Sequence, residues 1–185
     1  MTDSPAIPTA RTAPIWLPIG AAGVVLLLDQ ATKWLVIRAL GPGEPEHRVE
    51  LIGSALAVHY VQNSGAAFGL FRGQTALLTA IALLVVGGLV VSYARHRAPS
   101  LTLALGLGLL IGGAFGNLID RLRFGYVVDF VSVGIWPKFN VADSAITVGV
   151  ALLGLHLLRD GQPRRDADAR PDHRERRPVA VDAER

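Results

Sequence analysis

The chain has no cysteine and one methionine in 185 residues, and aromatic side chains make up only 6%. Without cysteine there are no disulfides, no thiol nucleophile and no cysteine-ligated metal centre. No His-x-x-x-His or similar spacing occurs, so the usual zinc-hydrolase pattern is missing and no metal or other cofactor is expected. The Gly-rich stretch "GLGLLIGGAFGN" has neither the preceding strand nor the Gly-Lys-Ser/Thr signature of a phosphate loop; close helix packing is its expected role. Charge is scarce too, at 18% against 51% hydrophobic residues. With a mean hydropathy of +0.40, this composition is too apolar for an ordinary soluble domain.

What the sequence does contain is long apolar runs, and roughly 20 such residues cross the ~30 Å hydrocarbon core of a bilayer. Residues 73–94 and 98–119 each run 22 residues without a charge. A third run, 15–37, is interrupted only by Asp29, Gln30 and Lys33. The fourth, 141–158, spans comfortably only if Asp143 enters the membrane edge. The expected fold class is therefore membrane all-α, a four-transmembrane-helix bundle. Residues 1–14 form an N-terminal segment and 15–158 the membrane domain, with spans at about 15–37, 74–94, 98–119 and 141–158. The tail, 159–185, is dense in Arg, Asp and Pro and is expected to be disordered. Asp29 and Lys33 stand where a small-residue cleavage site would belong, which argues against a cleaved leader.

Four spans put both termini on one side. The N-terminal segment, the 95–97 turn and the tail hold 11 of the 18 Lys and Arg, which favours cytoplasmic termini and places 38–72 and 120–142 outside. Because eight of the 18 Lys and Arg sit in the tail, interleaved with acids, rather than along a groove, the pI of 9.8 does not imply a nucleic-acid partner. In the larger outer loop, "ALAVHYVQN" (55–63) alternates loosely and is rich in β-formers, so a short strand is expected near the membrane surface.

This topology gathers the unusual polar residues at one end of the bundle: Asp29 with Lys33, "QNSGAAFG", "GNLIDR", "VVDF" and "FNVAD". Ionisable residues inside spans are costly and usually face a bundle interior or wet cavity. Each piece also has a plainer role. Asp29 and Lys33 are spaced for an i,i+4 ion pair; Asn140 and Asp143 suit a helix cap; Asp120 has Arg121 beside it; His59 suits a scaffold position. Ser144 next to Asp143 lacks an evident base and makes a poor nucleophile. What remains is carboxylates: Asp120, Asp129 and Asp143. Two close carboxyls can share one proton, the ionised member taking a proton from water while the protonated member polarises a carbonyl. Spacing alone leaves open which two pair.

"DQATK" at 29–33, "NSGAAFG" at 63–69, "GGAFGNLIDR" at 112–121, "VVDF" at 127–130 and "FNVADSAI" at 139–146 follow in order. Together they resemble the lipoprotein signal peptidase (signal peptidase II) family of bacterial inner-membrane aspartic endopeptidases. The resemblance implies a catalytic dyad of Asp129 and Asp143. It assigns Asn63, Gly65, Asn117, Arg121 and Asn140 to shaping the site or contacting the substrate, and Asp29, Lys33 and Asp120 to supporting it, Asp120 held by Arg121. It also implies a small extracytoplasmic β-cradle, an active site near the outer leaflet, and a diacylglyceryl-prolipoprotein substrate cut just before its lipidated Cys. Within the dyad, the first turn of a helix favours charge on Asp143, whereas apolar neighbours favour the proton on Asp129. Membrane lipid is the expected surrounding, and a monomer the expected state because four spans can bury their own site. The alternative is a small proton-coupled transporter using intramembrane carboxylates as a relay, but that would place its acids near the midplane. A purely structural membrane subunit would not need so many polar groups at one end.

Overall fold

The computed structural model describes residues 12–44, 48–53, 55–65, 73–95 and 99–160. The N-terminal residues 1–11, most of the expected tail and residues 66–72, which include the last four of the "NSGAAFG" motif, lie outside the described residues. In chain order the elements are α1 (Trp16–Leu40), β1 (Arg48–Ile52), β2 (Leu56–Asn63), α2 (Thr75–Arg95), α3 (Leu101–Phe124), β3 (Val127–Val133) and α4 (Val141–Asp160). All four helices are long and apolar enough to cross a membrane. The strands form one antiparallel sheet in the order β1-β2-β3 at one end of the bundle. The fold is a four-helix membrane bundle with a small sheet.

The apolar runs fix where the helices lie, and glycine fixes how closely they pack. α3 is the central helix, packing mainly on α1 and α4, while α2 lies at the periphery against α3. On the α1 side, a Cβ at Gly108 or Gly112 would stand 2.6 Å from the carbonyl oxygen of Pro18 or Ala22. On the α4 side, Gly106 and Gly149 face each other and Gly113 meets the Ala142 carbonyl. Small residues let backbones approach where lipid supplies no hydrophobic drive for association. α3 starts at Ser100, whose hydroxyl accepts from the Leu103 N–H, and ends at Gly125 in the left-handed region (φ 79°). It therefore runs past the apolar stretch that ends at Ile119 and carries Asp120 and Arg121 as helical residues. Backbone hydrogen bonding continues through these polar side chains until a residue free to take positive φ stops it.

β2 forms where the alternation places it. β3 has no counterpart in the sequence reading: residues 127–133, in the segment placed outside between the third and fourth spans, form a strand. Its first four residues are buried, so both faces are covered and no alternation marks it in the sequence. Val128 and Phe130 pack with Tyr60 on Val36 and Leu40 at the end of α1. Period-two geometry then turns Asp129 to the opposite face.

Introducing Gly112→Val should destabilise the bundle by about 1–3 kcal/mol, the range for overpacking, and visibly lower its midpoint for thermal unfolding in detergent. Gly87 on α2 has nothing within 4 Å of a Cβ, so Gly87→Ala should leave the midpoint unchanged or slightly raised.

Candidate active site

Lys33 is buried to 2% exposure, and its ammonium lies 2.9 Å from Asp29 Oδ2, Asp120 Oδ2 and Asn117 Oδ1. The expected Asp29–Lys33 pair is thus present, one turn apart on α1. Asp120 departs from expectation, since its ion-pair partner is Lys33 rather than the adjacent Arg121. Successive helical residues point about 100° apart, whereas Asn117 and Asp120 are one turn apart on the face that α3 presents to α1. The remaining oxygens of these acids tie in other elements. Asp29 Oδ1 accepts from the Ala142 N–H at 2.9 Å, and Asp120 Oδ2 also accepts from the Val128 N–H at 3.0 Å. Gln30 joins the group by donating to Asp29, Asp120 and the Gly116 carbonyl. Sequence reasoning overlooked Gln30; its signal was a second polar residue beside Asp29 within an apolar run.

Above this cluster stand Asp129 and Asp143. The start of α4 is a capping box: Asn140 Oδ1 accepts from the Asp143 N–H at 2.9 Å, and Asp143 Oδ2 accepts from the Asn140 N–H at 3.2 Å. The capping role and the site role of "NVAD" are therefore one arrangement, because each side chain has a second polar atom to spare. Asp143 Oδ1 accepts from Asn117 Nδ2 at 2.7 Å. Asn140 Nδ2 reaches Asp129 Oδ1 at 2.8 Å and also lies within hydrogen-bond distance of Asn117 Oδ1 and the Val128 carbonyl. Asn63 donates to Asp129 Oδ2 at 2.8 Å, while its own Oδ1 accepts from the Gly65 N–H at 3.0 Å. This Asx turn leaves the Asn63 amide nitrogen aimed at Asp129. Asn63 comes within reach because Val61 lies opposite Asp129 across the sheet, which makes Asn63 the diagonal neighbour.

All ten residues singled out from the sequence therefore cluster here. Asn63, Gly65, Asn117, Arg121, Asp129 and Asp143 line a cavity of about 610 Å³, while Asn140, Asp29, Lys33 and Asp120 lie buried behind it. Trp136, Pro137 and Lys138 of the β3–α4 connection form another wall of that cavity; nothing in their spacing marked them. The Asp129 carboxyl is pushed up to about 7. Burial is the main cause and the Asp143 charge adds to it, against the opposing effects of the Asn63 and Asn140 hydrogen bonds and Lys33.

The family described as Signal peptidase (SPase) II has a profile that matches residues 21–159. The chain belongs to the signal peptidase II family. It is 45% identical to the lipoprotein signal peptidase of Halothermothrix orenii, over 72% of this chain and 90% of that protein. Identity to the lipoprotein signal peptidase of Mycolicibacterium smegmatis is 44%, over 91% and 74% of the respective chains. Two solved structures described as bacterial membrane enzymes superpose with TM-scores of 0.76 and 0.70 at 31% and 32% identity, covering 85% and 82% of this chain. As a signal peptidase II family member, the chain is a multi-pass membrane peptidase of the aspartic type.

The raised Asp129 carboxyl has a consequence for stability that can be measured. Its folded value, about 7, exceeds the ordinary value of 3.8, so between those values the folded chain holds more protons than the unfolded one. Stability therefore falls as pH rises through that window and levels off above it. Asp129→Asn lacks this contribution. In thermal unfolding from pH 4 to 8, the parent should lose ground to the variant up to about pH 7, with a constant difference beyond.

Proposed function

We infer that this chain is a lipoprotein signal peptidase, which removes the signal peptide from prolipoproteins. The finer reading is an endopeptidase acting on diacylglyceryl-modified substrates and cutting just before the lipidated Cys, with Asp129 and Asp143 as its catalytic pair. One observation carries it: both carboxyls line a single cavity and are joined through Asn140. Nothing in the site favours the transporter alternative, since the acids gather at one end of the bundle rather than at its middle.

In this reading Asp143 rests ionised and Asp129 holds the shared proton. Asp143 takes a proton from a water molecule, whose oxygen attacks the scissile carbonyl carbon, while Asp129 donates its proton to the carbonyl oxygen. Collapse of the tetrahedral diol expels the amine of the lipidated Cys. That nitrogen takes the proton from Asp143, and the diol returns one to Asp129, so the pair is restored without a covalent intermediate or cofactor. Arg121, half-buried on the cavity wall, contacts the substrate.

The active-site end is assigned to the outer face of the bacterial inner membrane, with both termini cytoplasmic. The Lys and Arg distribution supports this orientation. Trp16 and Trp34 are exposed near opposite ends of α1, and 18 helical residues separate them by roughly 27 Å, close to the hydrocarbon thickness. Lys33 is next to the outer of these aromatic anchors, which puts the site at the bilayer edge.

Purified enzyme in detergent should cleave a lipidated prolipoprotein and keep that activity after exhaustive chelation. Asp129→Asn and Asp143→Asn should each lower the rate by at least about 100-fold, since general acid–base groups contribute on that order. A protonated-carboxyl infrared band should vanish in Asp129→Asn. Full activity in either variant would remove the dyad reading.

Orientation is tested separately by cysteine labelling of intact cells. Glu50→Cys should react with an impermeant reagent from the periplasmic side and Arg95→Cys should not; the reverse pattern would invert the topology.

A further inference from the structure

We propose that Lys33 is a positioning residue for the dyad, acting through Asn117 to fix a hydrogen-bond donor against Asp143. The proposal rests on the dyad reading above. An ammonium can only donate, so the atom of Asn117 that lies 2.9 Å from Lys33 Nζ must be the amide oxygen. That leaves Asn117 Nδ2 to donate to Asp143 Oδ1 at 2.7 Å. A donor there holds Asp143 as the ionised member, the form needed to take a proton from water.

The other two amides at the site are fixed by different groups. Asn63 is turned by the Gly65 backbone N–H, and Asn140 by the Asp143 backbone N–H. Both would keep their orientation without Lys33. Among the described residues no backbone N–H donates to Asn117 Oδ1; the other contact to it is Asn140 Nδ2, at 3.1 Å. Removing the ammonium leaves only that longer contact to hold the amide against turning its oxygen toward Asp143, an arrangement that is favourable only when Asp143 carries a proton. Lys33 thus acts on the base and leaves the donors to Asp129 in place. Asp29 and Asp120 hold the ammonium from two helices, so its reach toward Asn117 does not depend on a flexible stem.

The charged groups acting on Asp143 are Lys33 and Asp29 on α1, Arg121 on α3 and Asp129 on β3; Lys138 stands on the same cavity wall, and Asp120 lies against Lys33. A fair test leaves their total charge unchanged. Lys33→Met alone would strand two buried acids and threaten the fold, whereas Lys33→Met combined with Asp120→Asn keeps the net charge of the cluster. The measurement is the pH dependence of kcat and KM for cleavage of a lipidated prolipoprotein, alongside thermal unfolding. The double variant should move the acid limb of kcat upward by about one pH unit, the order expected from exchanging a favourable partner for an unfavourable one. At neutral pH kcat should fall by about 100-fold, with KM little changed.

Asn117→Leu provides the second arm. It leaves the charge unchanged and removes the donor to Asp143, so its acid limb should move in the same direction. A folded double variant whose acid limb coincides with the parent's would overturn the proposal, even if its rate is lower. Should the double variant fail to fold, Asn117→Leu decides, and an unmoved limb there would overturn it equally. An inactive parent, or an active Asp143→Asn, would instead defeat the dyad reading and is recognisable as such.

Discussion

A single ammonium kept away from water organises this molecule. Burying a charge without partners costs several kcal/mol even after relaxation, and the hydrocarbon around a membrane bundle offers none. Lys33 meets that cost with Asp29 from its own helix and with Asp120 and Asn117 from α3. The spare capacity of the two acids then reaches further, to the Ala142 N–H on α4 and the Val128 N–H on β3. Three helices and the sheet thus meet at one charge. They can come this close because α3 carries glycine where it meets α1 and α4; at Gly116 a Cβ would run into Asp29 itself.

The proposed dyad above the cluster is built from groups that serve two purposes. Asn140 and Asp143 satisfy the N–H groups at the head of α4, a requirement of any helix entering lipid. In doing so they fix one oxygen of Asp143 and leave the other toward Asn117. Neutral amides surround both carboxyls, and the cationic Lys33 stands one residue behind. A cation in direct contact would hold both acids ionised and remove the shared proton that the proposed chemistry needs. Asp129 bears the cost of this arrangement, because burial beside Asp143 makes its ionisation unfavourable.

Much of this could be read from the chain alone, because the physics concerned is local. Apolar run length located four spans, alternation located β2, and ordered motifs selected the ten residues that cluster at the site. β3 escaped because "VVDFVSV" is covered on both faces over its first four residues, so no regular alternation of apolar and polar residues marks it. Asp120 was paired with its sequence neighbour, although the acceptor faces of α3 are set by the helical turn and by what α1 brings opposite. Gln30 stood beside Asp29 as a second polar residue in an apolar run without being given a role, and the 136–138 wall of the cavity gave no pattern at all.

By itself the sequence determined that the chain spans a membrane four times and that its acids collect at one end. Hydrophobic length and the cost of intramembrane charge act residue by residue, without regard to distant partners. Only the tertiary structure decided which acid meets which donor. Lys33, Asn117, Asn140 and Asp129 lie on four different segments, and a hydrogen bond forms within about 3 Å or not at all. Sequence spacing carries no such distance between segments; it appears only when glycine-lined helices pack.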